Sequence, residues 1–581
     1  MKTRRLLPLL LVISMLLLLI SGCGESAGSS TTASNTPEET AAASEPAPAA
    51  EEAQEPEADV SAVEESAVEQ MPSAEEAAPE YGSLNTDTKI ERITDEPVTL
   101  SMFITFPTEY LNYTGGYAEN EAYLTMAEKT GVTIDFYQVP SGDSGTEYSL
   151  LIAGGDYTDF IGGSQTDYEN EITIELSDLI DEYMPNYNAV LQSNLAYERA
   201  ATTDANEHVG IYGFYTEGYA VPYGPVIRQD WLDELGMDTP VTYDDYHDVL
   251  TAFKNNYNCS SPLFLADSGV PVGDYLTAGY GVAGFSNPNT TQVPFYQVEG
   301  KVEFGPIQDG YYEYLQMIKQ WYDEGLIDKD FATTGNFMFP ADDLIANDQV
   351  GIFYSFVARI SAFSDINEDP DFNIQPIADA VKNVGDKNHL RHINSLTAGS
   401  IGISSQCEYP EIAAQYMDAW FTHEGYMLAN YGTEGETYTI DANGDVQFTD
   451  VILNNPDGLS FDMCLYKYCL YNQGVFLNNW ERQILSYTDA QKASIEIWNT
   501  SDYEYGFSSD ITMTAEETEE FTTAYSDIKT YVAEGTLNFI LGSTPLDDEH
   551  WDAYVTNIKN MGIDHCIEIK QQSVTRYLSR G

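Results

Sequence analysis

The sequence is poor in basic residues: 24 Lys and Arg stand against 94 Asp and Glu, which gives a formal net charge of −70. Nucleic-acid binding needs clustered cations that neutralise phosphates, so this imbalance excludes a nucleic-acid-binding protein. Hydrophobic residues nevertheless make up 43% of the chain, enough to build the cores of more than one domain. Because charge of this size opposes compaction, the acids must be spread over surfaces and a flexible segment.

Cysteine and histidine are also scarce, with 6 and 7 residues. Five cysteines lie after residue 23, an odd number that cannot all pair: Cys259, Cys407, Cys464, Cys469 and Cys566. Cys464 and Cys469 lie close in sequence, which leaves open whether they pair, but a zinc site would need two further ligands nearby. We therefore expect mostly buried thiols, no metal site and no cofactor.

No apolar run near the N-terminus is long enough to cross a membrane comfortably. The run Leu6–Ile20 follows Lys2, Arg4 and Arg5 and falls short of the roughly 20 residues that a membrane-spanning helix needs. This arrangement is typical of a signal peptide, which we predict over residues 1–22.

Small residues directly precede Cys23 in the sequence Ile20-Ser-Gly-Cys23. They resemble the bacterial lipobox, in which the cysteine after the cleavage site carries a diacylglycerol. Acylated in this way, with palmitate among the usual chains, Cys23 would hold the mature protein on the outer face of the cell membrane. The alternative is a secreted protein with an incidental cysteine at this position.

The segment after Cys23 consists mainly of Ala, Ser, Thr, Pro and Glu, and residues 24–80 contain no Lys, Arg or aromatic residue. Such a composition cannot bury enough apolar surface to offset the chain entropy lost on folding, and its like charges repel one another. We predict a disordered tether over residues 23–95. An acidic interaction tail is the alternative reading.

The remaining sequence alternates between strand and helix patterns. Val98–Phe106 is a β-rich apolar stretch, Glu119–Thr130 has helical spacing, and Val132–Tyr137 alternates as a second strand. A strand, helix and strand in succession predict a parallel strand pair and an α/β layer architecture. Between Tyr311 and Gly325 the aromatic and aliphatic residues recur with helical spacing, which predicts a helix with one buried face.

Two segments carry the first part of a family resemblance. Leu151–Ile161 (LIAGGDYTDFI) is similar to a Gly-Asp-x-Pro-Asp-Ile segment, with Thr158 in place of the proline. Ile227–Pro240 (IRQDWLDELGMDTP) resembles an Ile-Arg-x-Asp-Trp-Leu-Asp pattern that ends in proline.

Two further segments follow in the same order, Trp321–Asp328 (WYDEGLID) and Tyr409–Tyr438 with its Gly-Thr-Glu-Gly-Glu-Thr-Tyr turn. Together the four segments resemble the extracellular solute-binding proteins of family 1, which are lipoprotein receptors of ABC importers, and particularly their LipO-like branch. The resemblance runs from about Val98 to the C-terminus.

This resemblance implies a fold, a partner and a function. The implied fold is α/β and two-lobed, of the type II periplasmic-binding-protein kind, with the ligand in a cleft between the lobes. Lobe one would comprise residues 96–208 plus about 375–460, and lobe two residues 209–374 plus about 461–581. The implied function is to capture a small solute, an oligosaccharide in particular, by lobe closure and to deliver it to ABC transporter permease subunits without chemistry. Receptors of this kind are monomers as a rule.

Candidate ligand contacts follow from strand ends and from the chemistry of sugars, whose apolar faces and polar rims suit flat aromatics, amides, carboxylates and Arg. The loop after the first strand and the loop after Phe160-Ile161 should face the cleft, and the stretch Gly351–Phe356 matches a family position where an aromatic stacks on a sugar. The candidate residues are Thr105, Phe106, Ser164, Gln165, Tyr215, Arg228, Asp267, Tyr354, Phe356 and Glu436.

Enzymatic readings find little support in the sequence. Ala398–Gly402 is similar to a nucleophile elbow but has Ala in place of the first Gly, and paired carboxylates carry no weight in so acidic a chain. Asp441–Asp445 superficially resembles a calcium loop, yet an Asn443-Gly444 hairpin turn explains it better. In Asn255–Pro262, where many relatives carry a calcium-like loop, the acids are missing, so we predict no ion there. We predict a protein that is not an enzyme, with a cell-surface glycan hydrolase and a surface adhesin or sensor as the alternatives.

Overall fold

The structure is a computed structural model that describes residues 87–580 except 217–222, 266–273, 285–293, 334–338, 368, 391–395, 472–473 and 508–510. The predicted signal peptide, Cys23, most of the predicted tether and Asp267 therefore lie outside the described residues. Within the described ranges, no helix combines the length and the apolar character that a membrane crossing requires.

The strands of the described residues are numbered here in chain order. They are β1 (Val98–Phe106), β2 (Val132–Pro140), β3 (Phe160–Ile161), β4 (Ile211–Tyr215), β5 (Tyr223–Arg228), β6 (Ser261–Leu263), β7 (Phe295–Val298), β8 (Lys301–Phe304), β9 (Val350–Phe356), β10 (Ile374–Pro376), β11 (Thr397–Ile403), β12 (Tyr438–Ile440), β13 (Val446–Phe448) and β14 (Leu477–Asn478).

The α-helices alternate with these strands over most of the chain. Their bounds are Thr108–Thr114, Glu121–Thr130, Ser144–Gly154, Gln165–Glu169, Ser177–Tyr183, Pro185–Ser193, Leu195–Ala201, Gln229–Leu235, Tyr243–Tyr257, Asp274–Ala278, Asp309–Asp323, Phe339–Ala346, Phe363–Ile366, Pro410–Ala419, His423–Tyr431, Asp450–Leu453, Phe461–Tyr468, Asp489–Trp498, Ala515–Ile540, Asp548–Asn560 and Ile563–Ser579.

Local sequence signals account for several of these boundaries. Strand β1 has the predicted limits, and the helix Glu121–Thr130 begins after Asn120, whose Oδ1 accepts a hydrogen bond from Tyr123 N at 3.0 Å. That helix ends at Gly131, whose φ of +83° is readily adopted only by glycine. The hairpin β12–β13 turns through Gly444 at φ +99°, which confirms the predicted hairpin turn there.

The first sheet has six strands in the order β14-β4-β11-β3-β1-β2. Strand β11 runs antiparallel to both neighbours, while β1 pairs in parallel with β2 and β3, and β14 pairs in parallel with β4. The predicted parallel pair of β1 and β2 is confirmed, with Val98 opposite Val132 and Phe106 opposite Pro140. The carboxyl ends of β1, β3, β4 and β14 consequently lie at one edge of this sheet.

The second sheet has four strands in the order β10-β5-β9-β6. Strand β5 runs antiparallel to β9 and β10, and β6 is parallel to β9. The amino end of β5 therefore shares an edge with the carboxyl ends of β6, β9 and β10. The pairing of Tyr223 with Phe356 lies at this edge.

Buried residues form separate cores around the two sheets. The first core surrounds β1, β3 and β4, and the second surrounds β5, β6 and β9 and continues into the C-terminal helices from Ala515 onward. A third, smaller cluster holds residues from the ends of both sheets, including Tyr215, Tyr354 and Trp480. The predicted lobe boundaries stay a prediction; in the packing, Cys464–Leu470 contacts the first core and Ile377 the second.

Candidate functional site

The two sheets present matching edges to each other, as the chain connections show. Strand β4 ends at Tyr215, at the carboxyl edge of the first sheet, and the chain resumes at Tyr223, the amino end of β5. The return connection starts at the carboxyl end of β10 and enters β11 at Thr397. Both connections link the same edge of one sheet to the same edge of the other, so these edges border a common crevice, where ligands of open α/β sheets bind.

Aromatic side chains concentrate at the edge of the first sheet. The Phe106 ring, at the end of β1, contacts the Tyr117 ring at 5.1 Å and the Tyr466 ring at 5.2 Å between centroids. Tyr466 also contacts Tyr110 at 5.5 Å and stacks on Tyr471 at 4.4 Å. We call these five residues the first-edge aromatic group. Burial raises the pKa of the Tyr117 and Tyr466 hydroxyls above the ordinary tyrosine value.

Asn120 fixes the position of this group. Its side-chain amide donates to the backbone carbonyls of Tyr466 at 2.8 Å and Cys469 at 2.7 Å. Because the same side chain caps the helix Glu121–Thr130, it joins the loop after β1 to a helix that lies more than 300 residues further along the chain.

Charged residues surround the aromatic group. Glu121, in the first turn of its helix, has a raised pKa because of partial burial and the nearby charge of Glu436. Lys467 lies over the Tyr468 ring at 5.0 Å, and although burial opposes its charge, Tyr468, Asp457 and Glu121 raise its pKa. The predicted ligand residue Glu436 is exposed and is one of these charged residues, since its charge acts on Glu121.

The predicted loop Gly162–Gln165 lies at the same edge, after β3. Ser164 caps the following helix, with its hydroxyl donating to Asp167 Oδ2 at 2.6 Å, and Tyr148 donates to the other carboxylate oxygen of Asp167. Gln165 donates to Glu169 at 2.8 Å. Gly163, at φ +110°, approaches the backbone of β11 so closely that a Cβ atom would lie 2.6 Å from the Ile401 carbonyl carbon.

The edge of the second sheet carries further aromatic residues. Phe356, at the carboxyl end of β9, is half-buried and meets the Tyr223 ring edge-on at 5.3 Å. Tyr354, two residues earlier, is 8% exposed, and burial raises its pKa well above the ordinary value. Asp379 follows β10 at this edge, and its carboxylate accepts a hydrogen bond from Ser501 at 3.3 Å.

A third connection leaves the first sheet after β14 and leads to the helix Asp489–Trp498. Its start is hydrogen-bonded to residues around the first sheet. Asn430 Oδ1 accepts from Asn479 N at 2.8 Å, and Asn430 Nδ2 donates to Leu477 O at 2.8 Å. The buried Arg482 donates to the carbonyls of Ala429, Asn430 and Leu470 at 2.8 to 3.2 Å. Arg482 thus binds the last turn of the helix His423–Tyr431, where carbonyl groups lack intrahelical partners.

The structure brings most of the described predicted ligand residues to these two edges. Thr105, Phe106, Ser164, Gln165 and Glu436 lie at the first edge, and Tyr354 and Phe356 lie at the second. Tyr215, at the end of β4, is buried in the cluster between the sheets, and its carbonyl accepts from Tyr197 Oη at 2.8 Å. Their ligand contacts stay predictions.

Arg228 lies away from both edges. It ends β5 on the side opposite Tyr223, five residues or roughly 16 Å along the strand at about 3.3 Å per residue. Its side chain is 1% exposed, ion-paired with Asp230 and Asp348 at 2.6 Å each, and stacked 4.2 Å over the Trp231 ring. We therefore build the candidate site without Arg228. The predicted residues Asp267 and Cys23 lie outside the described residues.

Among the described residues, His389, Asp502 and Glu504 form a group whose ligand atoms lie within 4.8 Å of one another. Lys387 Nζ pairs with Asp502 Oδ2 at 2.7 Å, so an ammonium group already neutralises part of this cluster. The cysteines of the described residues are free thiols: Cys259, Cys407, Cys464, Cys469 and Cys566.

Sequence reasoning missed four members of the first-edge aromatic group and Tyr223. Tyr110 and Tyr117 follow β1 directly, so the rule that strand-end loops face a cleft could have found them. Tyr466 and Tyr471 offered no such signal, because they join the group only through Asn120 and the packing of the helix Phe461–Tyr468.

Residues 122–440 match the family of bacterial extracellular solute-binding proteins, and the chain belongs to this family. The fructooligosaccharide ABC transporter substrate-binding protein FusA of Streptococcus pneumoniae is 24% identical over 485 residues, which are 78% of this chain and 86% of FusA. Lipoprotein LipO of Bacillus subtilis is 23% identical over 349 residues, which are 57% of this chain and 66% of LipO.

Solved structures agree in fold. An extracellular solute-binding protein from Bifidobacterium longum subsp. infantis has a TM-score of 0.65 at 17% identity, with 84% of this chain and 99% of that chain covered. FusA of S. pneumoniae in complex with kestose has a TM-score of 0.59 at 20% identity, with 83% and 99% covered. These likenesses, together with the two sheets and their facing edges, confirm the predicted α/β two-lobed solute-binding fold.

Proposed function

We propose that this protein is the monomeric, lipid-anchored receptor of an ABC importer, and that it binds an oligosaccharide between its lobes and delivers it unmodified to a membrane permease. The observation that carries this proposal is the first-edge aromatic group at the crevice between the two sheets. Tyrosine rings next to carboxylates suit a sugar, which presents apolar C–H faces and hydroxyl rims. The kinship with FusA, an ABC transporter substrate-binding protein for fructooligosaccharides, supports the same reading.

Lobe closure is the physical step that links binding to transport. A ligand that contacts both edges is bound best when the lobes approach each other, so it shifts the population toward the closed form. The permease can then distinguish loaded from empty receptor by shape. The receptor needs no bond-breaking chemistry for this task.

Isothermal titration of the protein, expressed from residue 24 onward, with 1-kestose and with xylotriose, mannotriose and maltotriose tests the binding. We expect at least one of these trisaccharides to bind, and to raise the melting temperature with its concentration as RT ln(1 + [L]/Kd) requires. Chromatography of the sugar after incubation should recover it intact. Hydrolysis with turnover, or no binding by any trisaccharide, would contradict the proposal.

The anchor has a separate test in the full-length chain. The variant Cys23→Ala should leave the protein without lipid and move it from the membrane fraction to the medium. Cys407→Ala, which changes a half-buried thiol elsewhere in the chain, is the control and should stay with the membrane. Membrane retention of Cys23→Ala would exclude Cys23 as the anchor while leaving the binding proposal intact.

A further inference from the structure

The described cationic side chains near the two edges are either bound by acceptors within the protein or have acids close by. The chain has only 24 Lys and Arg, and of these Lys2, Arg4, Arg5 and Arg391 lie outside the described residues. An acidic glycan in the cleft would need one of the remaining cations to bind its carboxylate.

Among the described residues, Lys467 and Arg482 are cations near the first edge. Lys467 is surrounded by Glu121, Asp457 and the Tyr468 ring, all of which favour its charge. Arg482 is completely buried and donates to three backbone carbonyls. A uronate beside Lys467 would also meet the charges of Glu121 and Asp457, and Arg482 is committed to backbone carbonyls, so neither cation offers an unopposed positive charge to an acidic sugar.

In the described part of the chain, Arg359, Lys382 and Lys387 are cations near the second edge. Arg359 follows β9 and donates from one nitrogen to both carboxylate oxygens of Asp342, at 2.5 and 2.6 Å. Lys382 is ion-paired with Glu313, and Lys387 is ion-paired with Asp502 at 2.7 Å. In each pair the carboxylate neutralises the charge of a cation that follows β9 or β10.

Carboxylates stand at the same edges. Glu121 and Glu436 accompany the first-edge aromatic group, and Asp379, which is 9% exposed, lies at the second edge. The elevated pKa of Glu121 reflects in part the negative charge of Glu436 close by. A ligand that carries its own carboxylates would therefore meet like charges in a crevice of a protein with net charge −70.

We infer that the cleft selects uncharged oligosaccharides and rejects acidic ones built from uronic acids. The inference rests on the proposed function and narrows its substrate class. Carboxylates on the protein accept hydrogen bonds from neutral sugar hydroxyls, whereas every uronate carboxylate would need a cation, and those of the described edges are bound by other acceptors or offset by nearby acids. Aromatic stacking serves both kinds of ring, so charge decides between them.

A titration of the same protein with two sets of sugars tests this selection. The neutral set is 1-kestose, xylotriose, mannotriose and maltotriose; the acidic set is trigalacturonate and trimannuronate. Trigalacturonate and its fully methyl-esterified form are a matched pair that differs in charge but keeps the ring stereochemistry. Measurements at pH 7.5 in about 20 and about 500 mM NaCl separate charge effects from shape, because salt screens only the charges.

We expect the best neutral trisaccharide to bind at least 100-fold more tightly than either acidic one, with less than a twofold change in Kd between the two salt concentrations. The methyl ester should bind at least about tenfold more tightly than the free acid in 20 mM NaCl, because it lacks the repelled charges, and equal binding would contradict the inference. In Glu436→Gln, which removes one of the edge charges, the Kd for trigalacturonate in 20 mM NaCl should fall by about two- to fivefold.

An acidic trisaccharide that binds within tenfold of the best neutral one would overturn the inference and leave the proposed receptor function standing. Loss of that binding in Arg391→Gln would then locate the responsible cation. If neither set binds, both the inference and the proposed function fail. The two failures are thus distinguishable in a single experiment.

Discussion

Asp204 and Arg580 connect the two cores of the molecule. Asp204 follows the helix Leu195–Ala201 of the first core, and Arg580 ends the C-terminal helix of the second. Arg580 donates to Asp204 Oδ1 from Nε at 2.9 Å and from Nη2 at 2.7 Å, while Arg576 donates to Asp204 Oδ2 at 2.6 Å. Arg199 completes the contact by donating to the carbonyl of Arg580 at 3.2 Å. This contact ties the lobes together outside the three connections of the chain.

Removing the charge of Asp204 should destabilise the protein. Asp204→Asn leaves Arg580, which is 3% exposed, without its carboxylate and leaves Arg576 with Glu517 alone. We expect a loss of about 1–3 kcal/mol, seen as a lower melting temperature. Asp527→Asn changes an exposed aspartate on the helix Ala515–Ile540 and should leave the melting temperature unchanged. Equal melting temperatures for the two variants would show that the contact adds no stability.

Acid should weaken the same contact. Burial pushes the pKa of Asp204 upward, but hydrogen bonds from Arg576 and Arg580 and their charges outweigh it and lower the pKa. The stabilisation is therefore present above the ordinary aspartate pKa and is lost as pH falls through the lowered value. The difference in melting temperature between wild type and Asp204→Asn should shrink below about pH 4, the ordinary aspartate range. A constant difference down to pH 2.5 would contradict this assignment.

Asp418 should act in the opposite direction. Burial raises the pKa of Asp418 from 3.8 to about 6, even though its carboxylate accepts from Asn186 N at 2.9 Å and Tyr187 N at 2.8 Å. Between these two pKa values the folded chain holds a proton that the unfolded chain has released, so this group stabilises the fold as pH falls from 6 toward 4.

The variant Asp418→Asn should lose this dependence. Relative to wild type, its stability at pH 7.5 should be about 2 kcal/mol more favourable than at pH 4.5, from roughly 1.4 kcal/mol per pH unit over the titrated interval. Melting temperatures of both proteins at the two pH values check this, with Asp527→Asn as control. A pH-independent difference between Asp418→Asn and wild type would mean that Asp418 is ionised in the fold throughout.

Tyr466 is the central ring of the first-edge aromatic group, in contact with Phe106, Tyr110 and Tyr471. Tyr466→Ala should weaken binding of the best trisaccharide at least tenfold, because the sugar loses stacking area. Tyr466→Phe keeps the ring and should lose less than fivefold. Calorimetry measures both, and Tyr531→Ala, in the C-terminal helices, is the control. Wild-type affinity in Tyr466→Ala would place the sugar elsewhere.

Gly163 should tolerate no side chain. Gly163→Ala places a Cβ atom 2.6 Å from the Ile401 carbonyl carbon at a φ of +110°, and we expect a cost of about 2–4 kcal/mol. At Gly155 the φ is +70° but a Cβ atom would meet no neighbour within 4 Å, so Gly155→Ala should lower the stability by about 1 kcal/mol. Gly142→Ala meets neither problem and should change stability by less than about 0.5 kcal/mol. Thermal unfolding ranks the three, and any other order would contradict the steric argument.

Part of the site was predictable because it depends on local rules. A strand over Val98–Phe106 with a loop after it, and glycines after Phe160-Ile161, indicate backbone ends at a sheet edge whatever the rest of the chain does. The same rules could not judge Arg228, because the ion pairs that hold it involve Asp348, which lies 120 residues away. An arginine in a family motif predicts a charge at a position and says nothing of its partners.

The sequence by itself determined the alternation of strands and helices, the parallel pair β1–β2 and the hairpin at Gly444, because capping, turn and periodicity signals act within a few residues. The class of protein followed from the resemblance of four sequence segments to a known family. Only the tertiary structure decided which rings meet at the first edge, which acids neutralise which cations, and that Asp204 meets Arg580 across 376 residues. Side chains far apart in the chain become neighbours only when two cores pack, and that packing depends on all of their surfaces at once.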